Sequence, residues 1–119
     1  MNNLPNDPAG SIPVDQAAQW TANWRDYLTA SNQAFNITSF LIPIESIKNL
    51  LLYNENAEGI RVYLALEIAA DPATAKLVLV PVVDNSDVVA QPADNSKSNV
   101  YDYTDSCPPK CPPKSPLNE

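Results

Sequence analysis

The sequence predicts an α+β fold, with a small antiparallel sheet of three to four strands and two helices packed on one face. Two segments carry apolar residues at the helical period, and others alternate between apolar and polar residues as strands do. The length of 119 residues, with 45% hydrophobic and 18% charged residues, is typical of a single folded domain. We therefore expect a flexible N-terminal arm at 1–12, one domain at 13–104 and a Pro/Cys-rich tail at 105–119.

The helices are predicted by apolar residues that recur every three to four positions. Residues 14–29 form the clearest such segment, and Trp20 and Trp24 lie on its apolar face. This pair of tryptophans could line a ligand slot, but packing in the core is the commoner role of such a stripe. Residues 44–54 form the second helix, because Pro43 is tolerated at a helix start and apolar residues follow at the helical spacing.

The strands are predicted by short apolar runs and by alternation. Residues 39–42 form a short apolar stretch, and residues 60–68 alternate so that one face is apolar and buried. Residues 76–84 follow a type I turn signal, DPAT, and should pair with the preceding strand as an antiparallel hairpin. Pro81 cannot donate to a ladder, so we expect this second strand to be an edge or to be bulged. A polar connection without a motif leads to a last short strand at 99–104.

Charge and composition argue against several classes of function. Fourteen acidic and seven basic residues give a net charge of −7, which disfavours binding to nucleic acids and to anionic membranes. The absence of histidine excludes Ser-His and Cys-His nucleophile pairs and imidazole-ligated zinc. There is no catalytic motif, secretory signal or membrane-length apolar run. We therefore expect a cytoplasmic protein that is not an enzyme and has no cofactor.

The tail, SCPPKCPPKSPLNE, contains both cysteines and leaves four interpretations open. A Cys107–Cys111 disulfide needs Cα atoms about 4.4–6.8 Å apart, so the spacer has to turn, because polyproline II would separate them by about 12 Å. A metal site lacks ligands unless two chains share four thiolates. A docking peptide is indicated by Pro109-x-x-Pro112 with Lys110, which matches polyproline ligands. The simplest interpretation is a terminus that packs on its own domain or stays loose.

A second candidate site lies on the polar face of the first hairpin strand. Alternation puts Arg61, Tyr63 and Glu67 on the same side, with Arg61 and Tyr63 as neighbours. Together these side chains could bind an anionic or amide group. The alternative, which is the commoner case, is a solvated strand face with a surface ion pair worth about 0–1 kcal/mol.

Four motifs give the chain a resemblance to a known group of proteins. They are A-x-x-W-x-x-x-W-R (17–25), F-L-I-P (40–43), G-I-R-V-Y-L (59–64) and Y-D-Y-x-x-x-C-P-P-K-C (101–111). In these motifs the chain resembles small bacterial proteins of Bacteroidota type, which have an R-x-Y strand motif and a C-P-P-x-C tail. The resemblance implies a bacterial source and a self-contained domain, and it implies no activity or cofactor.

Two functional hypotheses follow from these features. The first is a non-enzymatic protein-interaction or structural module, which presents its sheet edge or its tail to a protein partner or to a second copy of itself. The positive indications are the P-x-x-P matches and a strand with an internal proline. The alternative is a thiol-based redox or metal-responsive protein that uses Cys107 and Cys111.

Overall fold

The computed structural model describes residues 9–32, 34–102 and 104–118. Within them the chain folds as α+β, as predicted, with two helices and small antiparallel sheets. In chain order the elements are α1 (Val14–Ala30), β1 (Ser39–Leu41), α2 (Ile44–Tyr53), β2 (Gly59–Leu66), β3 (Ala75–Val83), β4 (Ser86–Asp87), β5 (Ala90–Gln91), β6 (Asp94–Ser98) and β7 (Asp105–Cys107). Most of the predicted N-terminal arm lies outside the described residues. Neither helix in the described part is long and apolar enough to cross a membrane.

Both helices begin directly after a proline, where the fixed backbone angle suits a helix start. α1 ends at Ser31, whose backbone N–H and hydroxyl both donate to the Tyr27 carbonyl. Of the α1 residues, Leu28 is buried, whereas Trp20 is 55% exposed and Trp24 is 42% exposed. The expectation that the tryptophan stripe is core is therefore wrong, because no large apolar layer covers that face of α1 in the described part of the chain. The packing of both helices on one face of the sheet stays a prediction.

The main sheet has the strand order β2-β3-β4 and is antiparallel throughout. β2 and β3 form the predicted hairpin, in continuous register from Gly59 opposite Val82 to Leu66 opposite Ala75. β4 pairs with the other side of β3, so β3 is the inner strand and β2 is an edge. The expectation that the proline-containing strand is an edge or is bulged is therefore wrong.

Pro81 is tolerated in this inner strand because its nitrogen faces a gap in the pairing. On the side away from β2, Leu79 exchanges both backbone hydrogen bonds with Tyr101, at 2.8 and 2.9 Å. Pro81 uses only its carbonyl on that side, where it accepts from the Val88 N–H at 2.9 Å. The N–H that proline lacks would point between these two contacts, so the ladder with β2 stays intact.

The core is centred on β3 and leaves β2 open. Leu79, Val80, Pro81 and Val82 are buried, and because side chains alternate, β3 is covered on both faces. The apolar residues of β2 that we expected to be buried are largely exposed, and Leu64 is 84% exposed. That expectation is wrong, because alternation shows that a face is apolar but not that another element covers it.

A pair of buried asparagines joins the end of α2 to the end of β6. Asn54 directly follows α2, Asn99 directly follows β6, and both are buried. Their side-chain amides donate to each other, at 2.7 Å from Asn99 Nδ2 and 3.1 Å from Asn54 Nδ2. Asn99 also donates to the Val88 carbonyl at 2.9 Å and accepts from the Tyr101 hydroxyl at 2.7 Å. These hydrogen bonds offset the cost of burying two amides and fix α2 against the sheet region.

The segment 85–98, which we expected to be a polar connection without a motif, contains β4, β5 and β6. β3 reverses into β4 through Asp84 and Asn85, which both have positive φ, 50° and 62°. This is the geometry of a type I′ hairpin turn, and Asp and Asn tolerate it better than most residues. β5 and β6 form a further two-stranded hairpin. Within the described residues of the predicted strand at 99–104, Tyr101 makes an isolated bridge to β3.

Candidate functional site

The open edge of β2 offers a row of backbone groups for binding. The Glu67 N–H donates to the Thr74 carbonyl at 3.2 Å, whereas Leu79, opposite Val62, turns its N–H and carbonyl to Tyr101. Because hydrogen-bonded positions alternate in an antiparallel pair, the odd-numbered residues of β2 bond to β3. The even-numbered residues therefore direct their N–H and carbonyl groups to the free edge. These edge residues are Ile60, Val62, Leu64 and Leu66.

Nothing in the described part of the chain pairs with this edge, since β2 ends the strand order β2-β3-β4. β2 is eight residues long and contains no proline. Ile68 lies beyond the usable edge, because its N–H and carbonyl interact with the Thr74 hydroxyl at 3.0 and 3.4 Å. A long, apolar strand edge without a blocking residue is a template for pairing with another strand.

An apolar surface continues from the edge residues onto α1 and the segment before β1. Val62 and Leu66 are 49% and 46% exposed, beside the more open Leu64. A concave region of about 370 Å³ adjoins Leu64, and its walls are almost wholly apolar. The lining residues are Trp24, Phe35, Ile37, Thr38, Phe40 and Leu64.

Trp24 forms a rigid wall of this concave region. Its indole Nε1 donates to the Ile37 carbonyl at 3.3 Å. Its ring meets Phe35 edge to face, with centroids 6.2 Å apart, and stacks on Tyr27 at 5.9 Å. A ring that is already held in place loses little conformational entropy when a partner covers it.

Arg61 and Tyr63 meet the carboxylate of Asp87. Arg61 Nη1 donates to one carboxylate oxygen, and the Tyr63 hydroxyl donates to the other. Arg61 Nη2 donates to the Asn85 side-chain oxygen at 2.8 Å, and the Asn85 N–H donates to Glu58 at 3.2 Å. The cluster therefore ties β2 to the β3–β4 turn and to β4.

The same contacts set the protonation of the cluster. The hydrogen bond to Asp87, followed by partial desolvation, raises the pKa of Tyr63 above its ordinary value. The hydrogen bond with Tyr63 and the charge of Asp87 raise the pKa of Arg61. Arg61 directs its donors to groups of its own chain. Glu67, the third residue of the predicted patch, pairs with Lys76 at 3.7 Å.

The tail closes into a ring through a disulfide between Cys107 and Cys111, whose Cα atoms are 4.7 Å apart. The spacer turns at two successive cis peptide bonds, before Pro108 and before Pro109. Cys107 is only 2% exposed, whereas Cys111 lies at the surface. The two sulfur atoms of the bond therefore differ in their access to solvent.

The remaining tail residues of the predicted site lie in or beside this ring. The Lys110 N–H donates to the Ser106 carbonyl at 2.9 Å, and its ammonium lies 3.3 Å from the Asp105 carboxylate. Pro112 follows the ring and is exposed. The ring is more compact than an extended ligand, since polyproline II would place the cysteine Cα atoms about 12 Å apart. The motif Pro109-x-x-Pro112 is thus not presented here as an extended peptide.

The described part of the tail contacts the domain at two places. β7 pairs with β1, and the Thr38 N–H donates to the Cys107 carbonyl at 2.8 Å. Further along, Arg25 donates to the Leu117 carbonyl at 2.8 Å, and the Thr38 hydroxyl donates to Asn118 Oδ1 at 3.2 Å. The tail therefore packs on its own domain, next to β1 and α1.

Sequence reasoning identified Arg61 and Tyr63 but missed the residues that hold them. Asp87 and Asn85 were detectable, because V-V-D-N-S-D-V-V places four polar residues between two apolar pairs, and its D-N step suits a hairpin turn. Leu64 was placed on a buried face, although it is the most open apolar residue of β2. The contacts of the tail with Thr38 had no sequence signal, because they join segments distant in the chain.

Among the described residues, no group of three or more acidic, cysteine or histidine side chains could hold a metal ion. Comparisons of the chain with protein-family models, with curated proteins and with solved structures found no match. The resemblance to Bacteroidota-type proteins stays a prediction.

Proposed function

We propose that this protein is a non-enzymatic interaction module that binds an extended segment of a protein partner along the free edge of β2. The observation that carries this proposal is the alternation of backbone hydrogen bonds, which leaves the edge residues with N–H and carbonyl groups turned outward. An incoming strand satisfies these groups and extends the sheet. Main-chain hydrogen bonds of this kind supply affinity, and pockets for alternate side chains supply selectivity.

The surroundings of the edge indicate the chemistry of the partner strand. The side chains of the partner strand that point to the same face of the sheet as Leu64 meet an apolar surface and the concave region beside Trp24. These side chains should therefore be apolar, and either aromatic or branched. The net charge of −7 favours a partner segment that is neutral or basic over one that is acidic. The partner is therefore an extended segment with alternating apolar residues and little negative charge.

The Arg61 cluster supports the strand and offers no open pocket for an external anion. Arg61 already donates to Asp87 and Asn85, and Tyr63 donates to Asp87. An external anion would have to displace these groups. The cluster instead holds β2 against β4, so that the edge keeps a fixed shape for docking.

The tail bears on the compartment in which the protein works. A disulfide persists in oxidising compartments and is rare in the cytosol, where thiols are kept reduced. The Cys107–Cys111 ring therefore favours an oxidising compartment over the cytoplasm that we expected from composition. In this setting the ring is a structural closure that holds β7 beside β1.

A second candidate function, a thiol-responsive protein, is favoured by the unequal exposure of the two cysteines. An external thiolate can reach the Cys111 sulfur, while Cys107 is buried against β1. Attack at Cys111 forms a mixed disulfide and releases Cys107 as a thiolate. This first attack opens the ring. A second external thiolate then attacks the mixed disulfide, which joins the two external sulfurs as a disulfide and releases Cys111 as a thiolate.

Edge docking is tested with a synthetic peptide of alternating valine and threonine, with blocked ends, titrated into the isotope-labelled chain. We expect the amide NMR resonances of the edge residues to move more than those of the odd-numbered residues of β2. The matched control peptide carries N-methyl groups on the pairing side, which removes its donors and should abolish the shifts. Equal shifts with both peptides, or shifts confined to another surface, contradict the proposal.

A pair of substitutions at one position makes the test specific to the backbone. Leu64→Pro removes an N–H that faces the free edge and leaves the ladder with β3 in place, so it should abolish peptide binding. Leu64→Thr keeps that N–H and should bind the peptide. Replacing Cys107 and Cys111 with serine should leave peptide binding unchanged. Loss of peptide binding in the serine variant would instead favour the thiol-responsive function.

A further inference from the structure

We infer that the strand which docks on β2 is β2 of a second copy of this chain, paired antiparallel about a two-fold axis between the two Leu64 residues. This inference rests on the proposed function of the β2 edge and names its partner. A two-fold pair uses the same surface twice, so that surface has to be complementary to itself. β2 meets this condition in its backbone, in its charges and in its apolar face.

The backbone restricts the registers that are possible. Both copies present their even-numbered residues at the free edge, so even positions have to face even positions for N–H and carbonyl groups to meet. Pairing Leu64 with the partner's Leu64 satisfies this rule and places Val62 opposite the partner's Leu66. Each facing pair forms two hydrogen bonds, which gives a ladder of about six. A shift by one residue would set even positions opposite odd ones, whose N–H and carbonyl groups already bond to β3.

The charges in and beside β2 select this register from its neighbours. Arg61 and Glu67, which directly follows β2, lie equally far from Leu64, so the two-fold axis puts Arg61 opposite Glu67 of the partner subunit, twice. Arg61 keeps its contacts with Asp87 and Asn85, and Glu67 keeps its contact with Lys76, so the two charges attract each other across the axis without exchanging partners. Opposite charges across an antiparallel pair stabilise it. The register centred on Tyr63 forms a longer ladder but places Arg61 opposite the partner's Ala65. The complementary charges therefore favour the Leu64-centred pair.

The apolar face of the edge also fits a second copy. Leu64 is 84% exposed in the single chain, and the pairing covers it with Leu64 of the partner subunit. The concave region beside Trp24 adjoins this contact and enlarges the covered apolar surface. One strand ladder buries less than the roughly 1,200–2,000 Å² of a stable interface, and the two copies repel through their net charge. The dimer should therefore be reversible and concentration-dependent.

Sedimentation velocity of the full chain over a wide concentration range tests the self-pairing. We expect a reversible monomer–dimer equilibrium, and Leu64→Pro and Leu64→Lys should each raise the dimer Kd by about tenfold or more. Glu67→Lys should raise it several-fold, because it places two like-charged pairs across the axis. Glu45→Lys makes the same charge change on α2, away from the paired strands. Its dimer Kd should stay within about twofold of that of the unchanged chain. Circular dichroism of each variant checks that it is folded.

A cysteine cross-link tests the register. Residues in a hydrogen-bonded pair have Cα atoms about 5.5 Å apart, which suits a disulfide, so Leu64→Cys should cross-link the dimer readily under mild oxidation. Tyr63→Cys should cross-link more slowly, since two Tyr63 residues are diagonal neighbours in this register. Faster cross-linking at position 63 overturns the Leu64-centred register.

The outcomes separate this inference from the proposed function. A chain that stays monomeric while its edge residues respond to the valine–threonine peptide overturns self-pairing and leaves edge docking in place. A dimer whose Kd is unchanged by Leu64→Pro and by Leu64→Lys also overturns self-pairing. A chain that neither dimerises nor binds the peptide overturns both.

Discussion

Replacing Asn99 with alanine tests the buried amide pair that holds α2 to the end of β6. The substitution removes four hydrogen bonds, two in which the Asn99 side chain donates and two in which it accepts. Val88 and Tyr101 are partly exposed, so water can replace their lost contacts. Asn54 is buried, and it loses a donor and an acceptor contact while it keeps its bond to the Leu50 carbonyl at 2.8 Å.

The magnitude follows from the two groups of Asn54 that are left unpaired. A buried polar group without a partner costs about 1–3 kcal/mol, so two of them should lower the free energy of unfolding by about 2–6 kcal/mol. For a domain of this length, a change of this size lowers the melting temperature by roughly 8–24 °C. This is a large fraction of the roughly 5–15 kcal/mol that stabilises a typical domain.

Urea and thermal unfolding, followed by circular dichroism, measure the effect. The control Asn56→Ala changes an exposed residue two positions after Asn54 and should alter the free energy of unfolding by less than about 0.5 kcal/mol. Replacing Asn54 and Asn99 together with leucine removes both amides and should restore part of the loss, because no buried amide is left unpaired. The reasoning is refuted if Asn99→Ala is as stable as the unchanged protein, or if the double substitution costs the sum of the single ones.

Three further predictions follow from the core, the tail and the Arg61 cluster. Leu79→Ala should lower the free energy of unfolding by about 2–5 kcal/mol, because this side chain is buried in the inner strand. Replacing Cys107 and Cys111 with serine should cost about 2 kcal/mol, since the disulfide closes a short loop. The Tyr63 phenol should titrate above its usual pH of about 10 in ultraviolet absorbance, and Asp87→Asn should lower that pKa. The folded state holds the Tyr63 proton more tightly than the unfolded state does. The stabilising effect of the Tyr63–Asp87 hydrogen bond is therefore complete below about pH 10 and is lost as the pH rises through the pKa of Tyr63 in the folded state.

Each of these predictions has a matched control. Leu64→Ala removes an exposed leucine of the neighbouring strand and should change the stability by less than about 0.5 kcal/mol. A thiol reductant added to the unchanged protein should reproduce the loss seen in the serine variant. Tyr63→Phe should remove the late step of the absorbance titration. Equal costs for the two leucine substitutions, an unchanged serine variant, or a Tyr63 phenol that titrates with the other tyrosines would contradict the corresponding prediction.

Local patterns in the sequence predict the helices and the β2–β3 hairpin, because those elements depend on side chains that lie close in the chain. Pro13 and Pro43 precede helical periods, and both helices begin where these prolines allow. The DPAT turn joins two strand-like segments, and these strands pair as expected. The presence of Arg61 and Tyr63 on one strand face is a property of the same kind.

Burial and long-range contacts could not be predicted in this way. Alternation makes one face of β2 apolar, but it cannot show that Leu64 is left uncovered. Pro81 suggested an edge strand, yet its position relative to the Tyr101 bridge makes it harmless in an inner strand. The amide pair of Asn54 and Asn99 joins positions 45 residues apart and has no periodic signal. The edge site is therefore visible only once the order of the strands is known.

Residue-resolved amide hydrogen exchange of the full chain, measured by NMR at low and high protein concentration, tests the docking edge most directly. At low concentration, the Arg61 and Tyr63 amides should exchange slowly because they bond to β3, while the Val62 and Leu64 amides should exchange fast. At high concentration the Val62 and Leu64 amides should become protected as a second β2 docks. The account is contradicted if the amides of Val62 and Leu64 are as protected as that of Arg61 at the lowest concentration. It is equally contradicted if they stay unprotected at high concentration and with the valine–threonine peptide in excess.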